Sequence, residues 1–289
     1  MVRYRRILAL VMMLIMVFSL SPTVGMTSES VLEENRFNFL ETRLSQLYDE
    51  VINTLDQEKI DELNTEAMKI LREIAQKQVL ESLKEATIEA HSIDRIDDFE
   101  TQSIPPVTHI QLGHITTFAF ASEGKRGSWV DGIGSVTTTF DLPNNRNNVG
   151  MWTSPGYATG WAWTGRRFFV NGQGTQTASF DIDGMYKALY NTVGQSSVSS
   201  GYATFNLYNA TTQQWIIQDH TIGGGTYIFG NNGLEGETFS RNNFVSAPLT
   251  AGNEYVVLFM FEGYVLFSAY LESGTDNYHS KWTTIRINF

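Results

Sequence analysis

The chain has 289 residues, no cysteine, 12% aromatic residues and a formal net charge of −11. The absence of cysteine excludes thiolate nucleophiles, cysteine-ligated zinc, iron–sulfur clusters and disulfide stapling, so the fold must rest on its core. The acidic balance carries no basic stripe, which argues against nucleic acid and against polybasic attachment to anionic lipid.

Charge is unevenly distributed along the chain. Residues 1–26 hold three basic residues and no acidic one. Arg3, Arg5 and Arg6 precede an apolar run from Ile7 to Leu20, interrupted by Ser19 and followed by "SPTVG". This is the layout of a secretory signal, and we assign it to residues 1–25. The run is about 14 residues long, short of the ~20 a membrane span needs, although an uncleaved anchor is the competing reading. The expected location is therefore secreted or cell-surface.

Residues 27–106 hold 19 acidic and 8 basic residues. Residues 29–91 lack glycine and proline and are rich in good helix formers. Leu40, Leu44, Leu47, Val51 and Leu55 recur at helical spacing, and Ile60, Leu63, Ala67, Ile70 and Ile74 resume it in a shifted frame. Asp56 sits at the shift, where it would cap a second helix. The spacing predicts an α-helical hairpin or a coiled-coil segment that serves as a stalk, an oligomerisation element or a removed pro-segment. Residues 92–107, with Pro105-Pro106, read as a linker.

From residue 108 to the end the composition turns to Thr, Ser, Asn, Gly and aromatics, with 12 acidic and 9 basic residues after position 106. Short β-prone runs alternate with Gly/Asn clusters, which predicts an antiparallel β-sandwich of jelly-roll type over 108–289. "GYATFNLYNATTQQWIIQDH" reads as a hairpin with Ala203, Phe205 and Leu207 facing inward. "EYVVLFMFEGYVLFSAYLE" reads as a second hairpin turning at Glu262-Gly263, with strands apolar on both faces, as in a sheet covered on both sides. "GMYKALYN" is the one stretch here with a helical period. Ile285, Ile287 and Phe289 alternate as in the last strand of an outer-membrane barrel, but the other strands do not fit one.

No Gly-x-Ser-x-Gly elbow, His-Glu-x-x-His motif or Walker loop is present. The glycine-rich stretch from Gly223 does not open a helix, so it lacks a phosphate cradle. The sharpest feature is "ATGWAWTGRRFFVNGQG". Trp161 and Trp163 fall on one strand face, either as core plugs or as a platform for a ligand. Flanking glycines would let a sugar ring approach, Arg166 and Arg167 would donate hydrogen bonds, and Tyr157, Trp152 and Asn145 to Asn148 lie near. The expected ligand-binding residues are thus Trp161, Trp163, Arg166, Arg167 and Tyr157. "DIDG" offers Asp181 and Asp183 as calcium ligands at a sandwich edge, calcium being the one cofactor suggested. Asn209-Ala210-Thr211 is a glycosylation sequon at the expected hairpin tip.

The strand half resembles jelly-roll lectin-like and carbohydrate-binding domains in architecture, without a defining motif, so no residue role carries over. The expected function is a non-enzymatic, exported binding protein whose sandwich recognises glycan or an envelope protein. One alternative is a structural envelope or matrix protein that self-associates through the helical segment. The other is a polysaccharide hydrolase with Asp181, Asp183 or Glu262 among its acids.

Overall fold

The computed structural model describes residues 28–54, 56–93, 107–194, 196–228, 232–274 and 278–289. The signal assigned to residues 1–25 and most of the linker at 92–107 lie outside these residues. The chain divides into two compact units, Met1–Ser45 and Gln46–Phe289. The described part of the first is the opening of helix α1 (Ser28–Ile52). The second holds the end of α1, helix α2 (Gln57–Ile93) and all eleven strands. No described helix is long and apolar enough to cross a membrane.

Helix α2 begins where the sequence indicates. The Asp56 carboxylate accepts hydrogen bonds from the backbone N–H of Glu58 (3.0 Å) and Lys59 (3.4 Å), satisfying donors that have no partner within the helix. Its stripe of Leu63, Ala67, Ile70, Leu71, Ile74 and Val79 is buried.

The strands run β1 (Thr108–Gln111), β2 (Thr116–Phe118), β3 (Glu123–Asp141), β4 (Arg146–Asn171), β5 (Thr175–Thr192), β6 (Val198–Asn209), β7 (Gln214–Ile228), β8 (Asn232–Thr250), β9 (Glu254–Leu266), β10 (Ala269–Ser273) and β11 (Ser280–Asn288). They form an antiparallel sandwich of jelly-roll type, apart from the short parallel pairing of β1 with β4. Strand β4 joins the two layers. Its first half pairs with β10, its second half pairs with β9, and β3 follows it along the other edge. Between the halves the inward face changes parity: Val149 and Met151 point into the core, then Ala158 and Ala162. A register shift in β3 between Gly132 and Gly134 matches this bend, the usual way a strand turns a sandwich corner.

The core lies between the layers. Strand β6 contributes Ala203, Phe205 and Leu207, as its alternation indicates, against Phe180 and Ile182 of β5 and Phe259 and Phe261 of β9. Strand β9 is buried on both faces because α2 lies over its outer side, against β3, β4 and β9.

Several sequence expectations need correction. Glu262-Gly263 is no turn: β9 continues to Leu266, and the chain reverses near Phe267, whose φ is 60°. "GMYKALYN" is not helical but belongs to β5, because its neighbours β8, β10 and β11 impose the extended ladder on it. Ile285 and Ile287 point into the core and not outward. The strands are also longer than expected, since turn-prone residues within them form bulges that leave the ladder intact.

Candidate functional site

Of the five residues expected to contact ligand, four lie in the interior or in ion pairs and Arg166 is half-buried and bonded to a threonine hydroxyl. Trp161 and Trp163 are 2% and 0% exposed, and Tyr157 is buried as well. They do share a face, but it is the face that α2 covers. The Trp161 indole N–H donates to Gln78 Oε1 of that helix at 3.1 Å. Gly127 on β3 makes the slot for the ring: a Cβ there would lie 2.5 Å from the indole. Arg167 donates two hydrogen bonds to Glu123 (3.1 and 3.0 Å) and one to Glu254 (2.6 Å). Burial alone pulls its guanidinium pKa down, and the two carboxylates more than offset this. Arg166 donates to Thr108 Oγ1 at 3.1 Å. The expected platform is therefore core and scaffold, because the outer side of this layer is covered and not open.

The other residues singled out in the sequence have structural partners. Asp181 accepts from the Asn243 backbone N–H (2.7 Å) and from Asn288 Nδ2 (2.8 Å), and Asp183 accepts from Thr284 Oγ1 (2.5 Å). These carboxylates tie strands together. Among the described residues no group of three or more His, Cys, Asp or Glu is placed to hold a metal ion. Asn209 is 4% exposed, and its Oδ1 accepts from the Thr212 backbone N–H at 3.0 Å. The sequon closes a turn and does not present its amide to solvent.

The open site lies elsewhere on the sandwich, on the outer face of the first half of β4. Here even-numbered residues point out: Asn148, Gly150 and Trp152. Register sets Thr139, Thr137 and Ser135 of β3 beside them on one side, and Glu272 and Tyr270 of β10 on the other. Together they line a groove of about 310 Å³. Trp152 is 43% exposed, so part of its indole is open to the groove.

The groove mixes apolar and polar surface, and its polar groups are internally braced. Arg146 Nε donates to Asn148 Oδ1 (2.9 Å), and Asn148 Nδ2 donates to Thr139 Oγ1 (3.0 Å). The Tyr270 hydroxyl donates to Glu272 Oε2 at 2.7 Å. Burial, and then this bond, push the Tyr270 pKa up to about 12, so the phenol keeps its proton. Gly150 forms the floor: a Cβ there would lie 3.2 Å from Glu272 Oε2. The result is an aromatic wall, a flat floor, and hydroxyl, amide and carboxylate groups facing one space. An indole stacks on the C–H face of a sugar ring, while the carboxylate and hydroxyls bond its hydroxyls.

Of the residues named at the outset as near the tryptophan pair, Trp152 and Asn148 belong to this groove. Asn145 and Asn147 do not. They are buried and bond backbone carbonyls, Asn145 those of Ala119 and Trp282, Asn147 that of Phe259. Tyr270, Glu272, Thr137 and Thr139 were missed. The available signal was the alternation in "NNVGMW", where Val149 and Met151 face in and leave Trp152 facing out.

The third set of residues singled out by charge is the cluster around Glu262. This carboxyl is wholly buried between β9 and α2. Its oxygens lie near Arg72 (3.7 Å) and accept from the Tyr264 hydroxyl (2.9 Å). Burial raises its pKa first, the neighbouring Asp219 adds to the rise, and Arg72 and Tyr264 oppose it, leaving it at about 7.

No family model and no curated protein matches the chain. Solved structures do, at low similarity. The enzymatically active domain of bacteriophage CBA120 tailspike protein 4 matches at TM-score 0.24 and 8% identity, over 56% of this chain and 19% of that one. TmCBM61, solved with β-1,4-galactotriose, matches at 0.19 and 5% identity, over 55% of this chain and 86% of that one. The Clostridium thermocellum xylanase 10B CBM22-1–GH10 modules, solved with xylohexaose, match at 0.18 and 11% identity, over 57% and 28%. The chain thus spans about a fifth of the tailspike domain's length.

Proposed function

We propose that this protein is an exported, non-enzymatic glycan-binding protein that holds sugar in the groove of Trp152, Tyr270, Asn148 and Glu272. One observation carries the reading: a half-exposed indole stands over a glycine floor, ringed by hydroxyl, amide and carboxylate groups on three adjacent strands. A neutral mono- or disaccharide fits this chemistry, since the ring face needs an apolar wall and each hydroxyl both gives and takes a hydrogen bond. Among the described residues that line the groove the one carboxylate is Glu272, held by Tyr270, whereas glycoside hydrolysis uses two acids. The charge layout of residues 1–25 supports export.

The test is a glycan array followed by titration calorimetry with the full chain. Saturable binding is expected, weakened at least tenfold by Trp152→Ala, with the melting temperature unchanged within a few degrees because the indole is half in solvent. Binding that survives both Trp152→Ala and Tyr270→Ala would reject this site. Absence of glycan binding together with concentration-dependent assembly would favour the structural alternative.

A further inference from the structure

We propose a second ligand site, independent of the glycan groove: a cleft between α2 and the outer face of β6, β7 and β9 that binds a medium-chain carboxylate. The cleft is about 440 Å³, within the range of small-molecule sites. On the helix side its lining residues recur from Asp61 to Arg72, one face over eleven residues, so it is elongated by about 16 Å.

The two ends differ in chemistry. Asn64 Nδ2 donates to the Ser196 carbonyl (3.2 Å), which places that end beside Val198, paired with Ile228 across β6 and β7. Asp61, Thr65 and Thr226 also line this end, while Met68 on the helix and the Tyr202 and Tyr264 rings on the sheet carry the apolar wall onward. At the other end stand Lys69 and Arg72, one helical turn apart and on the same face.

The guanidinium at that end is paired only loosely, with Asp219 and Glu262. Arg72 lies 3.7 Å from both Asp219 and Glu262, close enough for ion pairing and too far for a good hydrogen bond, and its Nε is buried without a partner. Arg72 and Lys69 put two cationic groups at this end, and a guanidinium recognises a carboxylate through paired N–H groups. The ligand that matches is an anionic head on an unbranched apolar tail, the head at Arg72 and Lys69, the tail toward Val198 and Ile228.

The experiment is calorimetry on the full chain with decanoate, decylammonium and a neutral ten-carbon alcohol. Decanoate is expected to bind at one site, at least tenfold tighter than the other two. Met68→Trp, at a half-exposed position, fills the cleft and should abolish binding while the chain still melts cooperatively. Lys69→Gln, at an exposed position, should weaken decanoate at least threefold and leave the alcohol unchanged. Equal binding of decanoate and decylammonium, or decanoate binding untouched by Met68→Trp, would overturn the proposal, as would no decanoate binding at all. Glycan binding is measured in the same variants and should not change, so the two sites stand or fall separately.

Discussion

Glu262 is a carboxyl whose chemistry departs far from its sequence context. An isolated carboxyl titrates near 4.5, and this one, dry between a strand and a helix, titrates near 7. Below pH 4.5 it is neutral in the folded and the unfolded chain alike, and its contribution to stability is complete. Between 4.5 and 7 the unfolded chain releases the proton while the folded chain keeps it, so stability falls as pH rises. Above 7 the loss levels off, at about 3 kcal/mol. Asp219 is raised by burial, against Arg72 and Gln76, and acts in the same direction. Glu262→Gln should therefore flatten the fall, making the variant more stable than wild type at pH 8 and closer to it at pH 5. Urea denaturation at both pH values measures this, and a difference that does not change with pH would contradict it. In the groove, Gly150→Val should leave the fold intact, because the nearest atom is the movable end of Glu272, and should lower glycan affinity at least tenfold by filling the floor.

The elements themselves were largely legible. Helical spacing located α1 and α2, with the break and the Asp56 cap between them, because a stripe at 3.6-residue period admits few other structures. Alternation located β6 and its inward Ala203, Phe205 and Leu207. The partner of each surface was not legible. A strand face of tryptophans reads the same under a helix as under a sugar, since period two reports which side a residue faces and not what lies there. The one clue was β9, apolar on both faces, which called for cover on each side of its layer. Helix α2 supplies that cover, so it is part of the core and not a detachable stalk. Trp161→Ala should cost about 3–5 kcal/mol, as for other buried aromatics. A fragment of residues 105–289 would expose Trp161, Trp163, Leu258 and Met260. It should bind a hydrophobic dye and lose its cooperative melt, where the full chain does neither. A fragment that melts like the full chain would show the helix to be dispensable.

At the scale of the whole molecule the question is whether the chain works alone. A coiled-coil reading of residues 29–91 leaves an apolar seam free for a second copy. In the structure Leu71, Ile74, Ala75 and Val79 of α2 are buried within the second unit, so that helix has no such seam to offer. Large apolar residues that remain exposed, such as Phe39 and Ile52 on α1 and Phe120, Ile133 and Val193 on strands and loops, are scattered singly, the ordinary condition of a monomer's surface. The net charge of −11 adds repulsion between copies. The full chain should thus sediment as a monomer across the micromolar range and at moderate salt. A monomer with one groove of this size lacks the gain that linked sites provide, so soluble glycan should bind weakly, with Kd in the range of about 10 μM to 1 mM. Sedimentation velocity run beside calorimetry checks both halves of this argument. A stable dimer would return self-association to the helices, and a nanomolar Kd for a short glycan would mean that the ligand reaches beyond this one groove.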